Sequence, residues 1–341
     1  MRVLILRDVL ADDARLDELD VVLQADAVAH ALDELGVAHQ TAPFASDVAT
    51  TLATLRRAAP DVVFNLVESV AREARLAPLA PALLDSLDLS YTGCGAAGLE
   101  CTASKLRARR ALVRAKLPVP VAFERGALRE GAAVPSGRYV IKSIWEHGSV
   151  GLESDSVVFA DAPGPLLAEL ESRLPQLGGE GFAEGYIHGR EFNVALLETA
   201  AGVRCLPPAE IRFANARADG PVVVGYRAKW HPGSAEDEAT PRSFCFDAAD
   251  GPLLTELRRV ALDAWRACGL RGYARIDLRV DAEGQPWVVD VNPNPCLTPG
   301  SGFPATLAEA GISFAQAVRT MLTVAQRPRS QPAHVPNPTD R

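Results

Sequence analysis

Two acids, Asp277 and Asp290, stand in the stretch ARIDLRVDAEGQPWVVDVNPNP, residues 274–295, whose pattern is otherwise that of a hydrophobic hairpin. Glu283 and Gly284 separate two runs of apolar/polar alternation, the signal for a tight turn between antiparallel strands. With those two residues as the loop, Ala282 faces Gln285, Asp277 lies opposite Asp290, and Arg275 lies opposite Asn292. Side chains alternate with period two, so all four share one face. Directly opposed side chains have Cβ atoms about 4.5 to 5.5 Å apart, where like charges are destabilising. A positive group is therefore expected between them. Two carboxylates and an Asn amide oxygen form an all-oxygen set that suits Mg²⁺, which shares its sphere with water and phosphates. The competing reading is a solvated hairpin with surface acids, and a change of one residue in loop length would undo the register.

A second group of candidates comes from lysine usage. Only Lys105, Lys116, Lys142 and Lys229 interrupt a chain that otherwise uses arginine for its 35 basic residues. A retained Lys suggests a compact point charge, although chance accounts for one or two. Lys142 lies in the predicted strand VIKSIW just before the loop HGSVG, where backbone N–H groups could cradle phosphates that the ammonium neutralises. Lys105 is read at the start of a helix and Lys229 at the end of the strand VVVGYRAKW. Three separated lysines, a small-residue loop and an oxygen-donor hairpin predict a nucleoside triphosphate site. No GxxxxGK[ST] is present, which excludes a P-loop. GCGAAG matches G-x-G-x-x-G but stands at the fourth strand, with no acid near twenty residues beyond Gly98, so it reads as a tight turn between domains.

Composition bounds what these residues can serve. A chain of 341 residues, 48% hydrophobic and 23% charged, can bury real cores in two or three units. The net charge of −8 argues against a sequence-independent nucleic-acid surface and against attraction to anionic lipid. No apolar run approaches the roughly 20 residues of a bilayer span, and MRVLILR is strand-like and not a signal peptide, so a cytoplasmic protein without membrane attachment is expected. The six cysteines are scattered without a CxxC pair, suggesting neither a zinc site nor a disulfide framework.

The elements that must position the candidates follow from periodicity. RVLILR, VAHQTA and DVVFNLV read as strands, with LDVVLQADAVAHALDEL as a helix stopped at Gly36 and APALLDSL as a short helix before LSYTG. That is an open α/β layer with a parallel sheet. SKLRARRALVRAKL is a helix halted by PVP, RYVIKSIW and SDSVVFA are strands around EHGSVGLE, and GPLLAELESRL is a helix. The pattern then turns mostly to strands, FAEGYI, EFNVALLE, AEIRF and VVVGYRAKW. The long helix LLTELRRVALDAWRACGL precedes the hairpin and FAQAVRTMLTVAQ closes the chain. From Arg327 onward the polar, Pro-rich tail lacks apolar content and is expected to be disordered.

From about Leu89 to Ala325 the chain resembles the ATP-grasp superfamily and within it is most similar to the D-alanine:D-alanine ligases. The matching stretches are YTGCG, ASKLRARRALVRAKLPVP, YVIKSIWEHGSVGLESDSV, FAEGYIHGREFNVALLE, LPPAEI, RAKW and GYARIDLRVDAEGQPWVVDVNPNPCLTPGSGFP. The resemblance implies an α/β class, α+β in its C-terminal part. It implies an N-terminal open parallel α/β domain over residues 1–97, a central ATP-grasp subdomain with the phosphate loop over 98–182, a C-terminal subdomain with the metal site over 183–326, and the tail over 327–341. Lys105 and Lys142 would contact ATP phosphates and the adenine side, and the GSVGL loop with Ser149 would close over the phosphates. Glu184 would meet the adenine amino group, the backbone at Ile187 would hold the ring, and Glu191 would take the ribose hydroxyls. Lys229 would reach the transferred phosphate. Asp277, Asp290 and Asn292 would hold Mg²⁺, or alternatively Mn²⁺, with Asp290 where many relatives carry Glu. A homodimer is also implied.

Such enzymes transfer the ATP γ-phosphate to a carboxylate, giving an acyl phosphate that an amine attacks. Arg275 would then stabilise the oxyanion; its alternative is a salt bridge to Asp277 or Asp290. At the substrate end Ser301 matches the residue that binds the second substrate's carboxylate, and Cys296 replaces a Gly whose N–H serves the oxyanion. The departures are concentrated here. RDVLADDARLDE stands where the ligases have Gly-Gly, Ser and Glu, and NLVESVAREAR where they have His-Gly and Gly-Glu-Asp-Gly. Gly148 precedes Ser149 where they have two serines, and Trp230 replaces a Tyr. The expectation is an ATP-dependent carboxylate-amine ligase joining two amino acids. The alternatives are an amino acid or peptide joined to another metabolite, and a nucleotide-binding protein without turnover.

Overall fold

The computed structural model describes residues 1–214 and 220–327, with the side chain of residue 154 also left out of the description. The tail expectation therefore lies, beyond Arg327, outside the described residues.

The apolar run Val3–Leu6 is buried on both faces, which requires a strand with neighbours on either side and layers above and below. It forms β1 (Arg2–Asp8), the centre of a parallel sheet of order β2-β1-β3 with β2 (Ala38–Phe44) and β3 (Val62–Leu66). LSYTG adds only a parallel bridge, Val63 to Tyr91, at the edge. Helix α1 (Leu16–Glu34) is capped by the Glu18 carboxylate on the Arg15 N–H, 2.7 Å, and stops at Gly36, φ +66°. Helix α2 (Val48–Ala58), started by the Asp47 cap, has no counterpart in the sequence reading. Its buried stripe is only Thr51 and Leu55, too narrow to impose a visible period. Helix α3 spans Leu79–Ser86.

GCGAAG is the predicted turn. Gly93 has φ +82°, a Cβ on Gly272 would lie 2.9 Å from the Gly93 Cα, and one on Gly98 would lie 2.8 Å from the Gly269 carbonyl. The glycines let two backbones touch, and α4 (Ala96–Ala103) follows. Helix α5 (Lys105–Arg114) begins at the Ser104 cap. Strand β4 (Ala122–Glu124), helix α6 (Arg125–Arg129), β5 (Gly137–Ser143), β6 (Val157–Ala160), helix α7 (Pro163–Arg173) and β7 (Gly181–Gly185) build an antiparallel sheet of order β4-β7-β5-β6.

The last sheet runs β11-β10-β8-β12-β13, with β9 also on β8; its strands are β8 (Arg190–Thr199), β9 (Gly202–Cys205), β10 (Ala209–Ile211), β11 (Arg242–Ser243), β12 (Tyr273–Val280) and β13 (Pro286–Asn292). Between β10 and β11 lie two short helices, α8 (Tyr226–Trp230) and α9 (Ala235–Glu238). The strand expected over VVVGYRAKW is corrected here: 221–225 is irregular and Lys229 sits on α8, not at a strand end. The run is β-branched, but side chains rather than a ladder take its backbone. Val222 N–H donates to the Tyr186 hydroxyl, Val222 O accepts from Arg279, and Val224 O accepts from Ser149.

Alternation along β12 separates two jobs. Ala274, Ile276, Leu278 and Val280 pack under helix α10 (Gly251–Ala267), while Arg275, Asp277 and Arg279 face the other way. Burying those four apolar side chains contributes about 1.5 to 3 kcal/mol per large one. Helices α11 (Gly302–Glu309) and α12 (Phe314–Ala325) bring Phe303, Val318 and Met321 into the core formed by β1, β3 and α1, fastening the first sheet to the last. Among the described residues no helix is long and apolar enough to cross a membrane.

Candidate functional site

Asp277 lies opposite Asp290 and Arg275 opposite Asn292, as the sequence predicts, but the route differs. The turn is one residue longer than Glu283-Gly284. Asp281 N–H bonds the Gln285 carbonyl, and the Asp281 carboxylate accepts from the Glu283 and Gln285 N–H groups and from the Trp287 indole. Val280 therefore pairs with Pro286 and Leu278 with Val288, and a bulge at Val289 restores the register at the acids. Its carbonyl meets the Lys142 ammonium at 3.4 Å.

The two acids have different surroundings. Asp277 accepts four hydrogen bonds: Arg275 Nε and Nη2 at 2.7 and 2.8 Å, Asn193 Nδ2 at 2.8 Å, and Asn292 Nδ2 at 3.1 Å. The Arg275–Asp277 pair is buried, its side chains 16% and 11% exposed. Burial would lower the Arg275 pKa, but Asp277 outweighs it and holds the guanidinium above its usual range. Among the described residues Asp290 accepts only its neighbour's N–H, Val291, at 3.1 Å. Burial would raise its carboxyl, yet Lys105, His147, Lys142 and Lys229 together hold it below the ordinary range. The positive groups expected between the acids are thus Arg275 on one and lysines around the other.

Lys105, Lys142, Ser149, Glu184, Ile187, Glu191 and Lys229 line one open cleft together with Asp277 and Asp290. Lys142 is paired with Glu184 at 2.5 Å, and that partner outweighs burial and keeps the ammonium above its ordinary range. Lys105 donates to the Glu146 carbonyl at 2.5 Å; burial lowers its pKa, as it does that of Lys229. Glu191 is raised by burial, partly offset by Arg279 at 3.0 Å. Arg279, 5% exposed, also bonds the Ile187 carbonyl, the Tyr186 hydroxyl and Val222 O, and so holds the far end of the cleft in shape. Neither Arg279 nor Asn193 was legible beforehand, because both owe their place to β8 pairing with β12. His147, inside the same loop, also lines the cleft, where the sequence pointed to Ser149 and the loop backbone but not to this side chain.

The loop 147–152 is held from two sides. Ser149 Oγ donates to Val224 O at 2.9 Å, the Trp230 indole to Gly148 O at 2.7 Å, and Tyr226 N–H to Leu152 O at 2.9 Å. The Tyr226 hydroxyl in turn bonds Asp17 at 2.8 Å, and Arg15 lies 3.6 Å from Glu146. Burial alone would raise Asp17, but Arg15 and Tyr226 outweigh it and keep it ionised. Gly148 has φ +65° and a Cβ there would come within 3.2 Å of the Trp230 ring. Gly148→Ala is expected to open the loop at a cost of about 1 to 2 kcal/mol, read as a several-fold rise in KM for nucleotide with an unchanged melting temperature.

At the other end Ser301 Oγ donates to Cys296 O at 2.8 Å, and Cys296 Sγ and Thr298 Oγ1 donate to Asp20 at 3.0 and 2.7 Å. Burial and Asp20 push the Cys296 thiol up to about 12, so it stays protonated. A Cβ on Gly302 would lie 3.5 Å from Arg275 Nη1 and 3.6 Å from Arg242 Nη2, so two guanidinium groups converge at the start of α11. Arg242 was not foreseen; nothing in PRSFCF marks it. Behind this lies Glu68, bonded by Gln24 at 3.1 Å and pushed up to about 8 by burial and by the charges of Asp8, Asp20 and Asp17. Its folded pKa exceeds its unfolded one, so the stability it contributes is complete below about 4.5 and is lost as pH rises through about 8. Glu68→Gln is expected to raise stability at pH 8 by about 1 to 3 kcal/mol and leave it nearly unchanged at pH 4, which denaturant melts at the two pH values would check.

The donor chemistry of the opposed acids fits a hard divalent cation. The donors are all oxygen, Asp290 has a carboxylate oxygen without a donor among the described residues, and the Asn292 amide gives its nitrogen to Asp277, leaving its oxygen. Among the described residues no group of three His, Cys, Asp or Glu could hold a metal by itself; a cation held by these residues would need water or phosphate oxygens to complete its sphere.

A family model described as the D-ala D-ala ligase C-terminus matches residues 168–323. A D-alanine--D-alanine ligase of Oleidesulfovibrio alaskensis is 33% identical over 307 residues, covering 87% of this chain and 89% of that one. One from a Caulobacter species is 30% identical over 295 residues, covering 84% and 83%. A crystal structure of the Bacillus anthracis D-alanine--D-alanine ligase complexed with ATP superposes with a TM-score of 0.70 at 17% identity, over 95% of this chain and 97% of that one, a likeness of fold.

Proposed function

The chain belongs to the D-alanine--D-alanine ligase family of ATP-grasp enzymes, and from that premise we propose that it joins two amino acids, with the lobes 98–182 and 183–326 forming the cleft and the lobe 1–97 set beside it, where Asp17 meets Tyr226. It is an ATP-dependent ligase that forms a C–N bond and uses ATP with Mg²⁺. In the proposed site Lys105, Lys142 and Lys229 bind the triphosphate, and Ser149 fastens the loop above it. Glu184, the Ile187 backbone and Glu191 take the nucleoside. Asp277, Asp290 and Asn292 hold the divalent ion, which when bound offsets the charge that otherwise repels a carboxylate from the triphosphate.

A substrate carboxylate oxygen attacks the γ-phosphorus, the bond to the β-phosphate oxygen breaks, and ADP leaves. The second substrate's amine attacks the acyl carbon and loses a proton; the tetrahedral intermediate then expels phosphate. Arg275 Nη1, the part of that guanidinium left after Asp277 is served, donates to the oxyanion. Ser301 and Arg242 receive the acceptor's carboxylate, and the Cys296 N–H supports the oxyanion. No nucleophilic side chain is used, in keeping with a protonated Cys296.

The observation that carries this reading is Asp290, opposed in register to Asp277 and ringed by three lysines in one cleft. D-alanine is the first substrate to test. A different amino acid or a peptide is favoured by one feature: Gly148 and the Trp230 indole fill the corner where relatives have Ser and Tyr. Mg-ATP with panels of D- and L-amino acids and peptides is the test, by phosphate release and mass spectrometry of the product. Amino-acid-dependent ADP with an amide product supports the ligation, and no ADP across the panel overturns it. A homodimer without nucleic-acid partners is the proposed assembly, which light scattering would check.

A further inference from the structure

Nearly every polar group lining the cleft is already engaged: Lys105 with Glu146 O, Lys142 with Glu184, Glu191 with Arg279, and Ser149 with Val224 O. The His147 imidazole lines the same cleft and, among the described residues, has no hydrogen-bond or ion-pair partner. It shares that cleft with Lys105, Lys229 and Asp290, and theirs are the charges that act on it. Gly148 and Ser149 both turn through left-handed backbone, φ +65° and +63°, directly after it. Burial, with the two lysines, pushes its pKa down to about 4, which makes it a neutral ring with one N–H to donate. An imidazole N–H that no protein group engages is free for a ligand, and perturbed, unpaired groups in clefts mark ligand contacts.

Resting on the ATP-dependent reading above, we propose that the His147 imidazole is a direct ligand of the terminal phosphoryl group, donating its ring N–H to a γ-phosphate oxygen beside Lys229. A neutral donor adds grip there without bringing a fourth cation against three lysines. ADP lacks the group this contact reads, so His147 distinguishes the charged nucleotide from the spent one.

The test is calorimetric binding of the imidodiphosphate analogue of ATP and of ADP, each with Mg²⁺ and without amino acid, to wild type, His147→Ala and His147→Gln. His147→Ala is expected to weaken the triphosphate analogue about 10- to 100-fold, the range for a hydrogen bond to a charged group, with ADP changed less than about twofold; the amide of His147→Gln restores most of the loss. ADP affinity also reports that the variants are folded. Equal losses for both nucleotides, or none for either, overturn the proposal. A wild type that binds neither nucleotide removes the ATP-dependent reading and the proposal together, an outcome distinct from the other two.

Discussion

Asp290→Asn is expected to lower amino-acid-dependent ADP release by at least about 10³-fold, since a divalent ion at the reacting phosphate is worth several kcal/mol and each 1.36 kcal/mol is tenfold. Asp277 already serves four donors, whereas Asp290 has an oxygen without one and carries the negative charge that Lys105, Lys142 and Lys229 surround. The amide keeps the shape and removes the charge. Mg-ATP binding should therefore weaken strongly while metal-free ATP, attracted by lysines no longer offset, binds as well or better. That opposite response separates loss of a metal ligand from loss of folding. A pH series gives an independent check. The folded pKa of Asp290 lies below its unfolded value, so its contribution to stability is present above the unfolded pKa and is lost as pH falls through the folded one. Wild type should lose that increment in acid, and the variant should never show it. Turnover within tenfold of wild type would falsify the assignment of Asp290.

How much of this site could be read from the sequence depends on whether its parts are local. The opposed acids are local, and the pairing was reached although the loop length was wrong, because the longer turn and the bulge at Val289 shift the register by one residue in opposite directions. A bulge has no sequence signature here: WVVDV reads the same with or without it. The lysines stood out through composition and do line one cleft, and the ligase resemblance supplied the order proposed for them along the nucleotide. VVVGYRAKW misled because β-branched residues favour strands only where a neighbour offers a ladder, and this segment spends its backbone on Tyr186, Arg279 and Ser149 instead. The row Asn193, Asp277, Asp290 needs three strands side by side, so Asn193 could not be found before the sheet order was known. The same holds for Arg242 and Arg275, 33 residues apart in sequence and convergent only at Gly302.

Arg275→Ala should reduce turnover by about 10² to 10³-fold, the usual cost of removing one oxyanion donor, while Mg-ATP affinity changes by less than about threefold. The substitution also strips Asp277 of a bidentate partner in a pair whose side chains are only 16% and 11% exposed. Breaking such a buried pair costs about 3 to 5 kcal/mol, so a fall in melting temperature is expected and says nothing about catalysis. Arg275→Lys separates the two effects. An ammonium beside Asp277 restores most of the stability, but it is a single point charge and cannot both hold the carboxylate and keep a free N–H for the oxyanion, as the guanidinium does with Nε and Nη2 on Asp277 and Nη1 to spare. Stability should therefore recover in the lysine variant while kcat stays at least about tenfold low. Exchange of the bridging oxygen of ATP, which reports acyl phosphate formation, should persist in both variants, because the phosphoryl transfer precedes the step that Arg275 assists. If kcat recovers with stability in Arg275→Lys, the guanidinium acts only by keeping Asp277 in place, and the oxyanion must be met by the Cys296 N–H alone.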